Sequence, residues 1–133
     1  MKNSFLILLF ISFYSFSQEI QLPTSVEDNF IYNTVGIQVK PEYPGGIQEF
    51  YNYIGQNFKT PDVKGLTGKI FLTFVIEKDG SLTDIKVLRD IGYGTSEEAI
   101  RVLKGCKNWL PAEQNGKKVR VLYSLPIKIQ TPK

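Results

Sequence analysis

The chain has no histidine and a single cysteine, Cys106, among 133 residues. The first absence removes the usual general base, the imidazole of a nucleophilic triad and the commonest zinc ligand together. The second excludes an internal disulfide and any metal site built from several thiolates. Cys106, on the apolar side of its segment, reads as a small buried hydrophobe with a free thiol. Low-complexity runs and internal repeats are missing too, and a net charge of +3 falls well short of a dedicated nucleic-acid binder. What remains is a chain of one-domain size with no visible nucleophile, base or metal set.

Residues 1–17, MKNSFLILLFISFYSFS, join one lysine to an apolar core and a Ser15-Phe16-Ser17 ending of small-x-small form. That is the layout of a secretory signal peptide cleaved after Ser17. The run is shorter than the roughly 20 apolar residues of a spanning helix and is broken by serines; retained, it would instead be an anchor. Either way the remainder is exported. Residues 18–40 form a flexible lead, within which 30–39 is a candidate edge strand interrupted by Asn33 and Gly36. The folded domain spans 41–133 and opens on PEYPGG, two prolines and two glycines that mark a corner.

Inside the domain the hydrophobic period alternates between two values. Ile47, Phe50, Tyr51, Ile54 and Phe58 share one face of a helix over 46–58. Ile70, Leu72, Phe74 and Ile76 then alternate as a strand, Asp79-Gly80 supplies a hairpin turn, and 82–89 returns with Ile85 and Val87 on one side and Asp84, Lys86 and Leu88 on the other. Thr95 with Glu98 has the form of a capping box, opening a helix that turns Ala99, Val102, Leu103 and Cys106 toward the sheet. A corner around Trp109 and Pro111 follows. Residues 118–129 close the chain as a long strand with Val119, Val121, Tyr123 and Leu125 on one face. This order predicts an α+β fold: a small antiparallel three-stranded sheet with two helices on one face and the N-terminal edge strand added.

Several stretches invite a chemical reading and resolve into ordinary structure. GYGTSE lacks the third glycine of a dinucleotide loop and places Glu97 and Glu98 where phosphates would sit, so it reads as a turn before a helix. Glu77, Asp79, Asp84 and Asp90 line the hairpin as charges on a strand's solvent face rather than as an acid/base pair. Arg101, Lys104, Lys107, Lys117, Lys118 and Arg120 suit helix-end charge and an exposed face. No cofactor or metal is expected. The last strand stands out, because nothing after it covers its outer edge and an uncovered edge offers backbone N–H and C=O groups to an extended peptide.

The ordered series PEYPGG (41–46), Pro61, Gly68, Phe74-Val75, Asp79-Gly80, Glu98-Ala99, Trp109-x-Pro111, Gln114-Asn115-Gly116 and the run from Val119 to Pro126 resembles the TonB C-terminal domain family, over about residues 39–129. The resemblance implies a periplasmic module that takes the box segment of a TonB-dependent outer-membrane receptor as an added strand, in energy-coupled transport. Carried over by position, the partner-binding edge is Val119, Arg120, Val121, Leu122, Tyr123, Ser124 and Leu125. The full transducers of the family keep an anchor and a long proline-rich spacer; here 18–43 reaches at most about 85–95 Å fully extended. The alternatives are a short transducer still anchored in the inner membrane and facing the periplasm, or an accessory domain that forms homodimers through the same edge. Membrane contact arises only if the N-terminal segment is retained.

Overall fold

The computed structural model describes residues 29–133; the signal peptide read at 1–17 and most of the lead lie outside the described residues. Seven elements follow in order: β1 (Ile31–Asn33), α1 (Ile47–Asn57), β2 (Thr67–Ile76), β3 (Leu82–Arg89), α2 (Thr95–Lys104), β4 (Ala112–Gln114) and β5 (Lys117–Gln130). The architecture is α+β, as expected, but the sheet has five strands and is mixed. Its order is β1-β5-β2-β3, and β4 pairs with the start of β5. Within the candidate edge strand only Ile31–Asn33 pairs with β5, and it runs parallel to it. Among the described residues no helix is long and apolar enough to cross a membrane.

The strand alternation holds along β2, where Ile70, Leu72, Phe74 and Ile76 are all at most 1% exposed. Val75, on the opposite face, is also fully buried, flanked in register by Leu122 and Thr83. On β3 the register against β2 shifts twice. One shift falls at Asp84, whose φ of 49° marks a bulge, and it lets Leu82 and Ile85 both pack on the core although they are three residues apart. The other falls at Leu88, which is left exposed.

Both helices cover the same face. In α1 the buried residues are Phe50 and Ile54, with Tyr53 packed beside them and its hydroxyl donating to Val102 O of α2 at 2.8 Å. The stripe is therefore narrower than the period suggests: Ile47 and Tyr51 lie at its margin and stay partly exposed. Gly55 is a second departure. It sits in the helix with ordinary φ and nothing within 4 Å of where a Cβ would be. A helical glycine costs roughly 0.5–1 kcal/mol relative to alanine, and the packing of α1 gives no return for it.

At the start of α2 the capping box does not form. Gly94 is the N-cap in a left-handed conformation, and Thr95 is buried with its hydroxyl donating to Gly92 O at 2.6 Å. Glu98 instead accepts from the Lys59 backbone N–H at 3.3 Å and from Arg101. Between the helices and the sheet lies an aromatic cluster centred on Trp109, with ring centroids 4.7 Å to Phe50, 5.1 Å to Tyr123, 5.6 Å to Tyr43 and 6.0 Å to Phe74. The PEYPGG corner thus contributes Tyr43 to the core as well as turning the chain.

Candidate functional site: the outer edge of the last strand

Side-chain alternation says which face a residue of β5 occupies, and the backbone bonds say which edge it serves. Val119, Val121, Leu125, Ile127 and Ile129 are buried under the helices, with Tyr123 half-buried among them. Arg120, Leu122, Ser124, Pro126, Lys128 and Gln130 lie on the other face. The phase of the ladder is fixed where it ends: Thr131 N–H donates to Leu66 O at 2.9 Å, one pair beyond Thr67 opposite Gln130 in an unbroken register. In an antiparallel pair the residues that exchange bonds alternate with residues that do not. Odd-numbered residues from Val121 to Ile129 are thus bonded to β2, and even-numbered ones turn their N–H and C=O to the outer edge.

Pro126 agrees with this phase. A proline has no N–H to give, so it is tolerated within a sheet only where that N–H would point away from the neighbouring strand. The outer edge therefore consists of Ser124, Lys128 and Gln130 with donor and acceptor, and Pro126 with an acceptor alone.

The structure divides the residues expected to form the binding edge. β1 lies along Arg120, Val121 and Leu122, and β4 pairs with Val119. The side chains of Val119, Val121 and Leu125 are in the core. Among the described residues no strand lies against the outer edge beyond Leu122, so Ser124 is the one member of the expected set whose outward backbone is uncovered. The open edge extends past that set, through Pro126 and Lys128 to Gln130. Side-chain period alone could not have located it; the proline was the available signal.

Arg120 anchors the covered part. Its Nε donates to Glu77 Oε2 at 2.8 Å, its Nη2 to Glu77 Oε1 at 2.9 Å and its Nη1 to Asn29 O at 3.1 Å, tying β5 to the end of β2 and to the residues before β1. Thr83 adds a hydroxyl to Glu77 Oε1 at 2.6 Å. Hydrogen bonding from Arg120 holds the Glu77 carboxyl below its ordinary value of 4.5, against burial, which raises it. A folded pKa below the unfolded one means the pair's contribution is complete above about pH 4.5 and is lost as pH falls through the depressed value. Glu77→Gln is expected to cost about 1–2 kcal/mol at neutral pH, the scale of a charge-assisted bidentate bond with both partners partly buried. The deficit should shrink in urea titrations below pH 4, and a deficit that persisted there would count against this account.

The remaining hairpin carboxylates are used locally. Asp79 accepts from Ser81 N at 2.9 Å, Asp84 lies 3.4 Å from Lys86, and Asp90 accepts from Ser96 and from Gly92 N. Arg101 is held by Glu98 and by Asn57 O at 2.7 Å. Burial pushes the Cys106 thiol up, opposed by the nearby Trp109 indole.

Residues 62–129 match the family described as the Gram-negative bacterial TonB protein C-terminal. The chain belongs to this family. The match takes in both strands of the β2–β3 hairpin, α2, β4 and nearly all of β5. The solution structure of the Helicobacter pylori TonB C-terminal domain is similar at 23% identity and a TM-score of 0.47, covering 65% of this chain and 81% of that one. No curated protein matched. Membership is consistent with a protein-interaction module, which suits a site made of backbone groups.

Proposed function

We propose that this protein is an exported envelope module that binds an extended segment of an outer-membrane transporter, the TonB box, by adding it as a strand to the outer edge of β5 from Ser124 onward, in energy-coupled transport. The observation that carries this reading is the row of outward backbone groups at Ser124, Pro126, Lys128 and Gln130 with no strand against them among the described residues. Each backbone bond to a guest contributes about 0.5–1.5 kcal/mol net, so a short segment reaches micromolar to millimolar affinity with no catalytic group.

Ser124→Pro tests it. The substitution deletes an N–H that faces away from β2, as Pro126 does already, so the fold should survive with a melting temperature within a few degrees of the parent. Binding of a transporter box peptide, followed by calorimetry, should weaken about tenfold or more from the lost bond and its neighbours. Unchanged binding by a folded variant would refute the reading. Val121→Pro is unsuitable for this purpose, since its N–H belongs to the ladder with β2 at the centre of the sheet.

A further inference from the structure

A groove of about 370 Å³ runs beside the open edge. Tyr51, Ile54 and Gly55 of α1 form one wall, Pro126 and Ile127 of β5 the other, and Lys69 and Lys128 complete the lining. Resting on the strand-addition reading above, we propose that the groove selects the guest: the added segment carries a bulky apolar residue facing α1 and, next to it in sequence, an acidic residue facing the lysines.

Three observations point to this chemistry. The first is position. A strand laid on the outer edge of β5 alternates its side chains between the helix face and the opposite face. A residue beside Ile127 on the helix face enters the groove, and its neighbour emerges on the face that holds Lys128. The second is Gly55. Neither its φ nor its surroundings call for glycine, and any larger side chain there would project from a wall of the groove. Keeping the groove open accounts for a residue that α1 itself has no use for. Tyr51 is likewise left partly exposed on the same wall, giving the groove an aromatic surface.

The third observation is charge. Lys69 and Lys128 are directly opposite one another on β2 and β5, so their side chains leave the sheet on one face. Like charges in that relation repel. Neither lysine has an ion-pair partner among the described residues. A carboxylate brought in by the guest would neutralise the pair, and it would be placed there by the same alternation that seats the apolar residue in the groove.

The test uses the full-length chain and synthetic peptides of about eight residues, long enough to span the edge. The host is threonine-rich, with leucine or alanine at one central position and glutamate or lysine at the next. The leucine–glutamate peptide should bind about tenfold more tightly than the alanine–glutamate peptide, and about fivefold or more above the leucine–lysine peptide at low salt. In the double variant Lys69→Glu with Lys128→Glu the charge preference should invert. Gly55→Leu should remain folded, because leucine is the better helix former, and should lose the advantage of leucine over alanine in the peptide.

Equal binding of all the peptides, still weakened by Ser124→Pro, would overturn the groove proposal and leave strand addition standing. No binding of any peptide at about 1 mM, the scale expected of even a weak strand guest, would remove both. The comparison among peptides on the unaltered chain decides the matter even if a variant fails to fold.

Discussion

Gly80→Ala is expected to destabilise the domain by about 3–5 kcal/mol or more, a large part of the 5–15 kcal/mol that holds a domain of this size together. Gly80 closes the turn between β2 and β3: its N–H donates to Glu77 O at 2.9 Å, and its φ is +85°. An L-residue in that conformation costs roughly 1–2 kcal/mol. The larger penalty comes from the other side. A Cβ at this position would stand 1.8 Å from the carbonyl oxygen of Trp109 and 2.8 Å from its carbonyl carbon, and both are backbone atoms that cannot swing aside. Relief requires moving the Trp109 corner, whose N–H donates to Gly80 O at 2.8 Å. Urea unfolding followed by the fluorescence of Trp109 measures the effect; a midpoint close to that of the parent would show that the corner yields cheaply.

Trp109→Ala is the second large effect, at about 3–5 kcal/mol, the range for emptying a buried aromatic site. Trp109 is 3% exposed and touches four other rings, drawn from the PEYPGG corner, α1, β2 and β5. Deleting it leaves a void that no single neighbour can fill, because those rings are held by different elements. Its indole N–H is buried with no nitrogen or oxygen acceptor, the Cys106 thiol being the one polar group placed to interact with it. Trp109→Phe keeps much of the ring contact and discards a buried donor that has only a weakly accepting thiol beside it, so it should cost roughly half as much or less. Thermal unfolding by circular dichroism compares the two; equal losses would mean that the indole's shape, rather than its occupancy, is what the core requires.

These two residues also mark how far the fold was legible. Gly80 was readable as a turn residue because the Asp79-Gly80 pair lies between two alternating runs. Its contact with Trp109 was not, since that contact joins positions 29 apart and leaves no periodic trace. The helices and long strands were readable because each buries one face, and burial imposes a period on side chains. The bulges on β3 were not, because a bulge interrupts the very period used to find the strand.

The long last strand was legible, but which part of its edge is covered was not. Period two assigns Val121 and Leu125 to the core face, but the edge that a residue's backbone serves depends on pairing partners elsewhere in the chain. β1 is the clearest case. Three residues from the lead lie on Arg120–Leu122, a pairing 89 positions distant, and nothing in IYN itself announces it. Gly55 belongs to the same class: glycine inside a helical pattern reads as a tolerated weakness, and the role proposed for it depends on the groove beside Pro126 and Ile127, which no local pattern shows.

The place where β1 ends has a consequence for alignment. An edge open at both ends would let a guest slide by two residues at a time without changing the face that its side chains occupy. Here Asn33 sits against Leu122, and the chain leaves the edge at that point. β1 thus stands like a bookend: a guest strand added as proposed would be free to shift toward Gln130, but in the other direction it would meet a wall made of this protein's own backbone. For such a guest the short strand would be the zero mark of a ruler, from which every later side chain is measured.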